Sequence, residues 1–193
     1  GEQLWSLDAF PNGVSGAAIA PGCSTTGHSG PCYVAAGNRR WHPADEAETS
    51  LQIWDMDGNL LHSEEHIVYT LAFSPEGKFL AAFDQLYHTG TWNAAFAAQM
   101  QIKYYSSEAT TFSPDGSIWA LSIGEEILFY NTASGELLRT LTASAVSLAY
   151  SAADDKLVIV TKSGDVQLWD AASGELLTSL DGFGSGQAGL AVS

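Results

Sequence analysis

One short segment of this chain occurs twice in nearly the same form. Ala133–Leu141 reads ASGELLRTL and Ala172–Leu180 reads ASGELLTSL, so nearly the same nine residues recur after 39 positions. Self-similarity at a period of about 20–50 residues is the signature of repeat architectures, in which each unit buries its apolar face against a neighbouring unit. The chain is therefore expected to consist of repeated supersecondary units.

Turn motifs recur with the same period. Phe73–Gly77 reads FSPEG, Phe112–Gly116 reads FSPDG and Tyr150–Asp154 reads YSAAD, at spacings of 39 and 38 residues. Ile19–Gly22 precedes these motifs in the same role, and Leu190–Ser193 begins the same element once more. These five anchors predict four full units.

The fullest unit shows what each repeat contains. Runs of β-forming residues separated by polar turns predict strands over 145–151, 156–162, 166–170 and 175–180. Little helix is expected, because no window carries a sustained apolar stripe with a period of 3.6 residues. Four antiparallel strands per unit is the composition of a propeller blade. The predicted fold class is all-β, built of four-stranded antiparallel blades.

Four segments carry a family resemblance: Leu51–Asp55 (LQIWD), Val166–Asp170 (VQLWD), Leu71–Gly77 (LAFSPEG) and Thr110–Gly116 (TTFSPDG). They resemble WD40 repeats of the divergent, bacterial type. The resemblance implies a single WD40-type β-propeller over residues 1–193, with about four and a half blades present. The implied units are approximately 1–55, 56–93, 94–131, 132–170 and an incomplete 171–193.

The sequence also departs from the WD40 pattern. In the second and third units other residues are assigned to the position of the Trp-Asp pair: Trp92-Asn93 in the second and Tyr130-Asn131 in the third. The family's Gly-His pair is missing, so its Asp-His-Ser-Trp hydrogen-bond network is not expected. His88 occupies the place where a sialidase-type motif would need Asp. Residues 88–93 are therefore assigned to the third strand, with Trp92 packed between blades.

The ends of the chain fall inside repeats, which would leave blade edges with unpaired backbone groups. We expect the sequence to be a piece of a longer propeller. Self-association, completion by a segment of another chain, and a small closed ring are the alternatives.

The charge balance restricts the partners. The chain has 22 acidic and 7 basic residues, for a net charge of −15. Nucleic acids and anionic lipids are therefore not expected to bind, since both require clustered Lys and Arg. The acidity either keeps the protein soluble or attracts a cationic partner. No membrane insertion is expected, because no stretch approaches 18 uninterrupted apolar residues.

The two cysteines bracket a polar loop. Cys23 and Cys32 could close this loop as a disulfide, which would indicate an extracytoplasmic or secreted protein. Two free thiols in a cytoplasmic protein are the alternative. His28 lies between them, but two Cys and one His fall short of a tetrahedral metal site, so no metal is expected.

Two loops supply the candidate binding site. Residues 39–50 form the predicted loop between the second and third strands of the first unit, and residues 84–89 form its counterpart in the second unit. An exposed group of Arg and Trp is typical of a binding hot spot. The alternative is a loop whose arginines pair with its own carboxylates. The candidate partner-binding residues are Arg39, Arg40, Trp41, His42, Tyr87 and His88.

Catalysis finds little support in the sequence. No histidine or carboxylate falls into a nucleophile–base or metal-ligand spacing, and no cofactor is expected. Asp115, Asp154 and Asp165 are predicted to be turn residues. The predicted function is a non-catalytic scaffold that binds a protein or peptide through its loop faces. The alternatives are an enzyme or small-ligand sensor with a site at the channel mouth, and a structural subunit of an extracellular assembly.

Overall fold

The computed structural model describes residue 6, residue 10 and residues 13–23, 32–38, 51–65, 68–98, 109–151 and 155–182. All regular secondary structure in this part of the chain is β-strand, and the 16 strands form four antiparallel sheets of four strands each. The predicted all-β class with four-stranded antiparallel units is therefore confirmed.

Each sheet contains four consecutive strands that are hydrogen-bonded in chain order. Sheet 1 contains β1 (Gly16–Ile19), β2 (Tyr33–Gly37), β3 (Leu51–Asp55) and β4 (Leu60–Glu64). Sheet 2 contains β5 (Leu71–Phe73), β6 (Phe79–Ala82), β7 (Gln85–His88) and β8 (Ala94–Ala97). Sheet 3 contains β9 (Thr110–Phe112), β10 (Ile118–Ile123), β11 (Glu126–Asn131) and β12 (Leu137–Thr142). Sheet 4 contains β13 (Ala145–Tyr150), β14 (Lys156–Thr161), β15 (Val166–Asp170) and β16 (Leu176–Leu180). The ends of β13–β16 differ by at most one residue from the four strands that the sequence predicts for the fullest unit.

The recurring Ser-Pro-Asp/Glu-Gly motif forms the turn between the first two strands of a sheet. In sheet 3 the Ser113 Oγ accepts a hydrogen bond from the Ile118 N–H at 2.9 Å, and the Gly116 N–H donates to the Ser113 carbonyl oxygen. In sheet 2 the Ser74 Oγ accepts from the Phe79 N–H at 3.0 Å in the same way. Gly116 has a φ of 71°, a conformation that favours glycine. The motif recurs because the same turn is built again.

The described chain divides into two compact units, Gly1–Ala95 and Phe96–Ser193, with the boundary inside β8. Sheets 1 and 2 share the core of the first unit, which contains Ala35, Leu51, Ile53, Val68, Leu80 and Tyr87. Sheets 3 and 4 share the core of the second unit, which contains Ala120, Ile127, Phe129, Leu148, Leu157 and Ile159. In each unit the apolar faces of two neighbouring sheets pack against each other, which removes them from water.

The last two residues of the third strand are an aromatic residue and then a polar one in every sheet. The backbone N–H of the polar residue donates across the following turn, over 2.9–3.1 Å, in all four sheets. The four pairs are Trp54-Asp55, Tyr87-His88, Tyr130-Asn131 and Trp169-Asp170. The assignment of this role to Trp92-Asn93 is therefore wrong. The register of β7 against β6, in which Tyr87 lies opposite Leu80, places the pair five residues earlier.

Trp92 belongs to the connection between β7 and β8. It has a φ of 57°, which is rare for a bulky residue, and its side chain is buried. Its ring meets that of Tyr33 in sheet 1 edge to face, with 4.7 Å between centroids. The prediction that Trp92 packs between neighbouring sheets is confirmed, but the assignment of residues 88–93 to a strand is wrong, since only His88 of this segment lies in one.

Candidate functional site

Cys23 and Cys32 form a disulfide, with 5.1 Å between their Cα atoms. The Ala20 N–H donates to the Tyr33 carbonyl oxygen at 2.9 Å, just where β1 ends and β2 begins. The strand pairing therefore brings the two cysteines together at the end of the hairpin where the chain connects β1 to β2. The predicted disulfide is confirmed, and it fixes both ends of the connection between β1 and β2.

Four of the six candidate binding residues, Arg39, Arg40, Trp41 and His42, lie outside the described residues. They follow β2 and precede β3 in the chain. Their role in partner binding stays a prediction.

The other two candidates, Tyr87 and His88, lie in a strand. The connection between β6 and β7 contains only Phe83 and Asp84, so the prediction of a loop over residues 84–89 is wrong. Tyr87 is 1% exposed and belongs to the core of the first unit. Burial, and then the Glu64 and Asp84 carboxylates, raise the pKa of the Tyr87 hydroxyl above its usual range.

Tyr87 therefore packs the core and is not available at the surface. His88 is exposed at the end of β7, and its ring lies 5.1 Å from that of Phe79. The equivalence of Tyr87 with Trp54 and Tyr130 is the signal that could have identified its core position from the sequence.

Asp170 organises the turn between β15 and β16. Its Oδ2 accepts a hydrogen bond from the Lys156 Nζ at 2.7 Å, and its Oδ1 accepts from the N–H groups of Ala172 and Ser173 at 3.1 and 2.8 Å. Lys156 and these donors hold the pKa of the Asp170 carboxyl well below its usual value. Asn131 accepts the same two backbone hydrogen bonds in sheet 3, so the carboxylate shapes a turn that an amide can also form.

Two other aspartates also accept hydrogen bonds that stabilise turns. The Ser113 hydroxyl and the Ser117 N–H hold the pKa of Asp115 below its usual range, and the Ser163 hydroxyl does so for Asp165. Both were predicted to be turn residues, which these hydrogen bonds confirm. Asp154, the third predicted turn residue, lies outside the described residues.

The outermost strands expose pairs of leucines. A strand points successive side chains to opposite faces, so a pair with both members exposed shows that both faces of the strand reach solvent. Each of these leucines is between 42% and 54% exposed. The pairs are Leu60-Leu61 in β4, Leu137-Leu138 in β12 and Leu176-Leu177 in β16. The segment GELL, at residues 135–138 and 174–177, is the sequence signal of the second and third pairs, whereas the first pair follows Gly58-Asn59.

A small cavity of about 130 Å³ lies between sheets 3 and 4. Asp115, Ser117, Tyr150 and Asp155 line it, and burial raises the pKa of the Tyr150 hydroxyl to about 12. The Asp115 carboxylate is already held by Ser113 and Ser117. Over the described ranges, no group of three or more His, Cys, Asp or Glu side chains is arranged to hold a metal ion.

The described part of the chain contains no helix that is long and apolar enough to cross a membrane. No family model and no curated protein matches the sequence. Among solved structures, the chain is similar to the computationally designed Ika8 protein, with a TM-score of 0.70 and 22% sequence identity. The match covers 98% of this chain and 56% of the Ika8 chain, so this chain spans about half the length of the design. This likeness shows the fold alone: an all-β chain of repeated four-stranded antiparallel sheets.

Proposed function

We propose that this chain is a WD40-like β-propeller module that binds protein or peptide partners and carries out no catalysis. The observation that carries the proposal is the repeated pair of exposed leucines on the outermost strand of sheets 1, 3 and 4. Exposed apolar groups that recur at equivalent positions mark an interaction surface more strongly than single exposed leucines do.

The edge position favours an extended peptide as the partner. An outermost strand has backbone N–H and C=O groups free on one side, and a peptide can add to such an edge as a further strand. The exposed leucines would then supply the apolar contacts. Burying one leucine side chain contributes about 1.5–3 kcal/mol, so a pair provides a substantial share of a micromolar affinity.

Charge complementarity narrows the class of peptide. Glu136 precedes the leucine pair of β12 and Glu175 precedes that of β16, and both are exposed. The net charge of the chain is −15. A partner segment that alternates apolar residues with Lys or Arg therefore fits the edge, and its binding weakens as salt screens the charges.

The described carboxylates with lowered pKa values support the non-catalytic part of the proposal. Asp55, Asp115, Asp165 and Asp170 each accept hydrogen bonds from nearby donors, most of them in their own turn. These carboxylates therefore serve as hydrogen-bond acceptors that stabilise turns. The loop-face residues Arg39, Arg40, Trp41 and His42 remain a second candidate surface for the same partner class. The Cys23–Cys32 disulfide supports an extracytoplasmic location.

Peptide selection tests this proposal. A displayed library of random peptides is panned on the immobilised chain, and the affinity of enriched peptides is measured by calorimetry at two salt concentrations. We expect enriched peptides that combine apolar and basic residues. The double substitution Leu137→Thr/Leu138→Thr, combined with Leu176→Thr/Leu177→Thr, should weaken their binding at least tenfold. Thr140→Ser, at an exposed position of the same strand β12, is the matched control and should leave affinity unchanged.

Two results would contradict the proposal. A library with no enrichment over an unrelated protein would remove the peptide-binding function. Binding that survives the leucine substitutions and is lost in Trp41→Ala would move the site from the outer strands to the loop face.

A further inference from the structure

A buried tyrosine hydroxyl faces the cavity of about 130 Å³ in the second unit. Tyr150, the last residue of β13, is 9% exposed, and its hydroxyl makes no hydrogen bond within the described chain. Tyr150 lines the cavity together with Asp115 and Asp155. Burial of a hydroxyl without a hydrogen bond is unfavourable, so a ligand in this cavity gains stability by pairing with it.

The repeat does not require this hydroxyl. Phe73 and Phe112 end the first strands of sheets 2 and 3, at the position that Tyr150 occupies in sheet 4. Both carry a ring of similar size without a polar group. The hydroxyl is therefore a feature of this cavity and not of the recurring turn.

Three charged groups lie near the hydroxyl. Burial raises the pKa of Tyr150, the Arg139 guanidinium lowers it, and the Asp155 and Asp115 carboxylates raise it further. Arg139 itself donates to the Ala172 carbonyl oxygen at 2.9 Å. Two carboxylates against one guanidinium leave one negative charge at the cavity, which a ligand with a single positive charge balances.

The Asp115 carboxylate can accept a further hydrogen bond. Its Oδ1 accepts from the Ser113 hydroxyl at 2.6 Å and from the Ser117 N–H at 3.0 Å, and the Ser117 hydroxyl lies 2.8 Å from both oxygens. These donors are neutral, so they orient the carboxylate without balancing its charge. A carboxylate has about four lone-pair sites, which leaves Oδ2 with unused capacity.

The remaining wall combines an exposed carboxylate with apolar groups. Asp155 is exposed and therefore lies on the solvent side of the cavity, where its carbonyl oxygen accepts from the Ala171 N–H at 2.8 Å. Ile118, Ala171 and Ala172 complete the lining with apolar side chains. Such a wall suits methylene groups next to a charged head.

We propose that this cavity binds a primary ammonium group on an alkyl chain, as carried by a lysine side chain or by a small aliphatic amine. An ammonium group has three N–H donors. The carboxylates of Asp115 and Asp155 and the hydroxyl oxygen of Tyr150 are the three acceptors. The alkyl chain then contacts Ile118 and Ala171. A metal ion fits this set less well, because no third carboxylate, His or Cys joins it within the described ranges.

The site goes beyond binding at the outermost strands. The exposed leucine pairs of β4, β12 and β16 do not line this cavity. Loss of ammonium binding would therefore leave peptide binding at the strand edges intact, and the reverse also holds.

Nuclear magnetic resonance of the isotope-labelled chain tests the proposal, with n-butylammonium chloride as the probe at constant ionic strength. We expect saturable shifts of the resonances of Asp115, Ser117, Tyr150 and Ala172. Tetramethylammonium chloride carries the same charge but has no N–H donor. It should bind at least tenfold more weakly.

Two variants and one control locate the site. Tyr150→Phe removes the hydroxyl and keeps the ring, and Asp155→Asn removes one charge. Each should raise the dissociation constant of n-butylammonium at least tenfold. Tyr150→Phe should not lower the melting temperature, since the hydroxyl makes no hydrogen bond in the described chain. Glu126→Gln removes an exposed carboxylate at the opposite end of the β10–β11 ladder and should leave binding unchanged.

The blocked amino acid Nα-acetyl-lysine amide distinguishes the two sources of the ammonium group. Binding at least tenfold tighter than that of n-butylammonium would identify a lysine side chain of a peptide. Equal or weaker binding would identify a small aliphatic amine. Either result supports the site.

Three results would overturn the proposal. Equal shifts with tetramethylammonium would show a general ion effect. Shifts of the unmodified chain that fall outside the cavity would exclude the site even if a variant failed to fold. Unchanged affinity in both Tyr150→Phe and Asp155→Asn, or an equal loss in Glu126→Gln, would show that these acceptors do not hold the ammonium group.

Discussion

The ring of Trp92 lies edge to face against the ring of Tyr33, with 4.7 Å between the ring centroids and 81° between their planes. This contact joins sheet 2 to sheet 1, and both rings are at least nine-tenths buried. The His62 ring also stacks on the Trp92 ring, with 6.4 Å between the ring centroids. A residue in a turn between two strands thus becomes part of the core of the first unit.

We expect Trp92→Ala to lower the free energy of unfolding by about 3–5 kcal/mol, because it leaves a large cavity beside Tyr33. Urea denaturation followed by far-ultraviolet circular dichroism measures this loss. In a double-mutant cycle with Tyr33→Leu, the two rings should show a coupling of about 0.5–1.5 kcal/mol. Coupling near zero would mean that the ring pair contributes only buried area.

Gly37 and Gly16 lie opposite each other in the ladder between β1 and β2 and provide a matched pair. A Cβ on Gly37 would lie 2.5 Å from the Cβ of Val68, which is fully buried. A Cβ on Gly16 would meet its nearest neighbours at 3.5 Å, an ordinary contact. Gly37→Ala should therefore destabilise the protein by about 1–3 kcal/mol, whereas Gly16→Ala should change stability little. Equal melting temperatures for the two variants would contradict this prediction.

Asp170 should make stability depend on pH in the acid range. Its pKa is lowered in the folded protein by Lys156 and the Ser173 N–H, while the unfolded chain titrates near 3.8. The contribution is therefore present above about pH 4 and is lost as the pH falls through the lowered folded value. Asp170→Asn should keep the turn, as Asn131 does in sheet 3, and should make denaturation midpoints between pH 2 and 6 less dependent on pH. A pH dependence as steep as that of the unmodified chain would contradict this role.

The Cys23–Cys32 disulfide closes a loop across a sequence separation of nine residues. Chain-entropy arguments give about 2–3 kcal/mol for a loop of this size. Reduction should therefore lower the free energy of unfolding by that amount, and Cys23→Ser/Cys32→Ser should show the same loss without reductant. An unreduced chain whose mass includes both thiol hydrogens would show that the bond is absent.

Local features could be predicted from the sequence with good accuracy. Strands β13–β16 follow from runs of β-forming residues between Gly, Asp and Ser, since turn chemistry and strand preference act over a few neighbouring positions. The Cys23–Cys32 pair was predictable because a short polar loop keeps its ends close. The turn role of Asp115 and Asp165 follows from the same local chemistry.

The binding site was less predictable. Tyr87 lies in a polar-looking segment, DQLYHT, and the loop prediction rested on that appearance. The pairing of β6 with β7 leaves only two residues in the connection between these strands. It also places the Tyr87 side chain in the core of the first unit. In the sequence, the leucine pairs of β4, β12 and β16 look like ordinary strand residues. Their exposure depends on which other strands lie beside them, and a local segment does not specify this.

The sequence by itself determined the repeat, the all-β class and the turns, because period, β-propensity and turn residues are properties of short segments. Only the tertiary structure decided which aromatic ends the third strand of sheet 2, and which apolar residues remain exposed. Both depend on contacts between segments far apart in the chain. A change of register moves a side chain to the other face of its sheet, and burial depends on whether a neighbouring sheet is present. Val166 and Ile127 occupy equivalent positions in their strands, yet Ile127 is fully buried and Val166 is only half-buried.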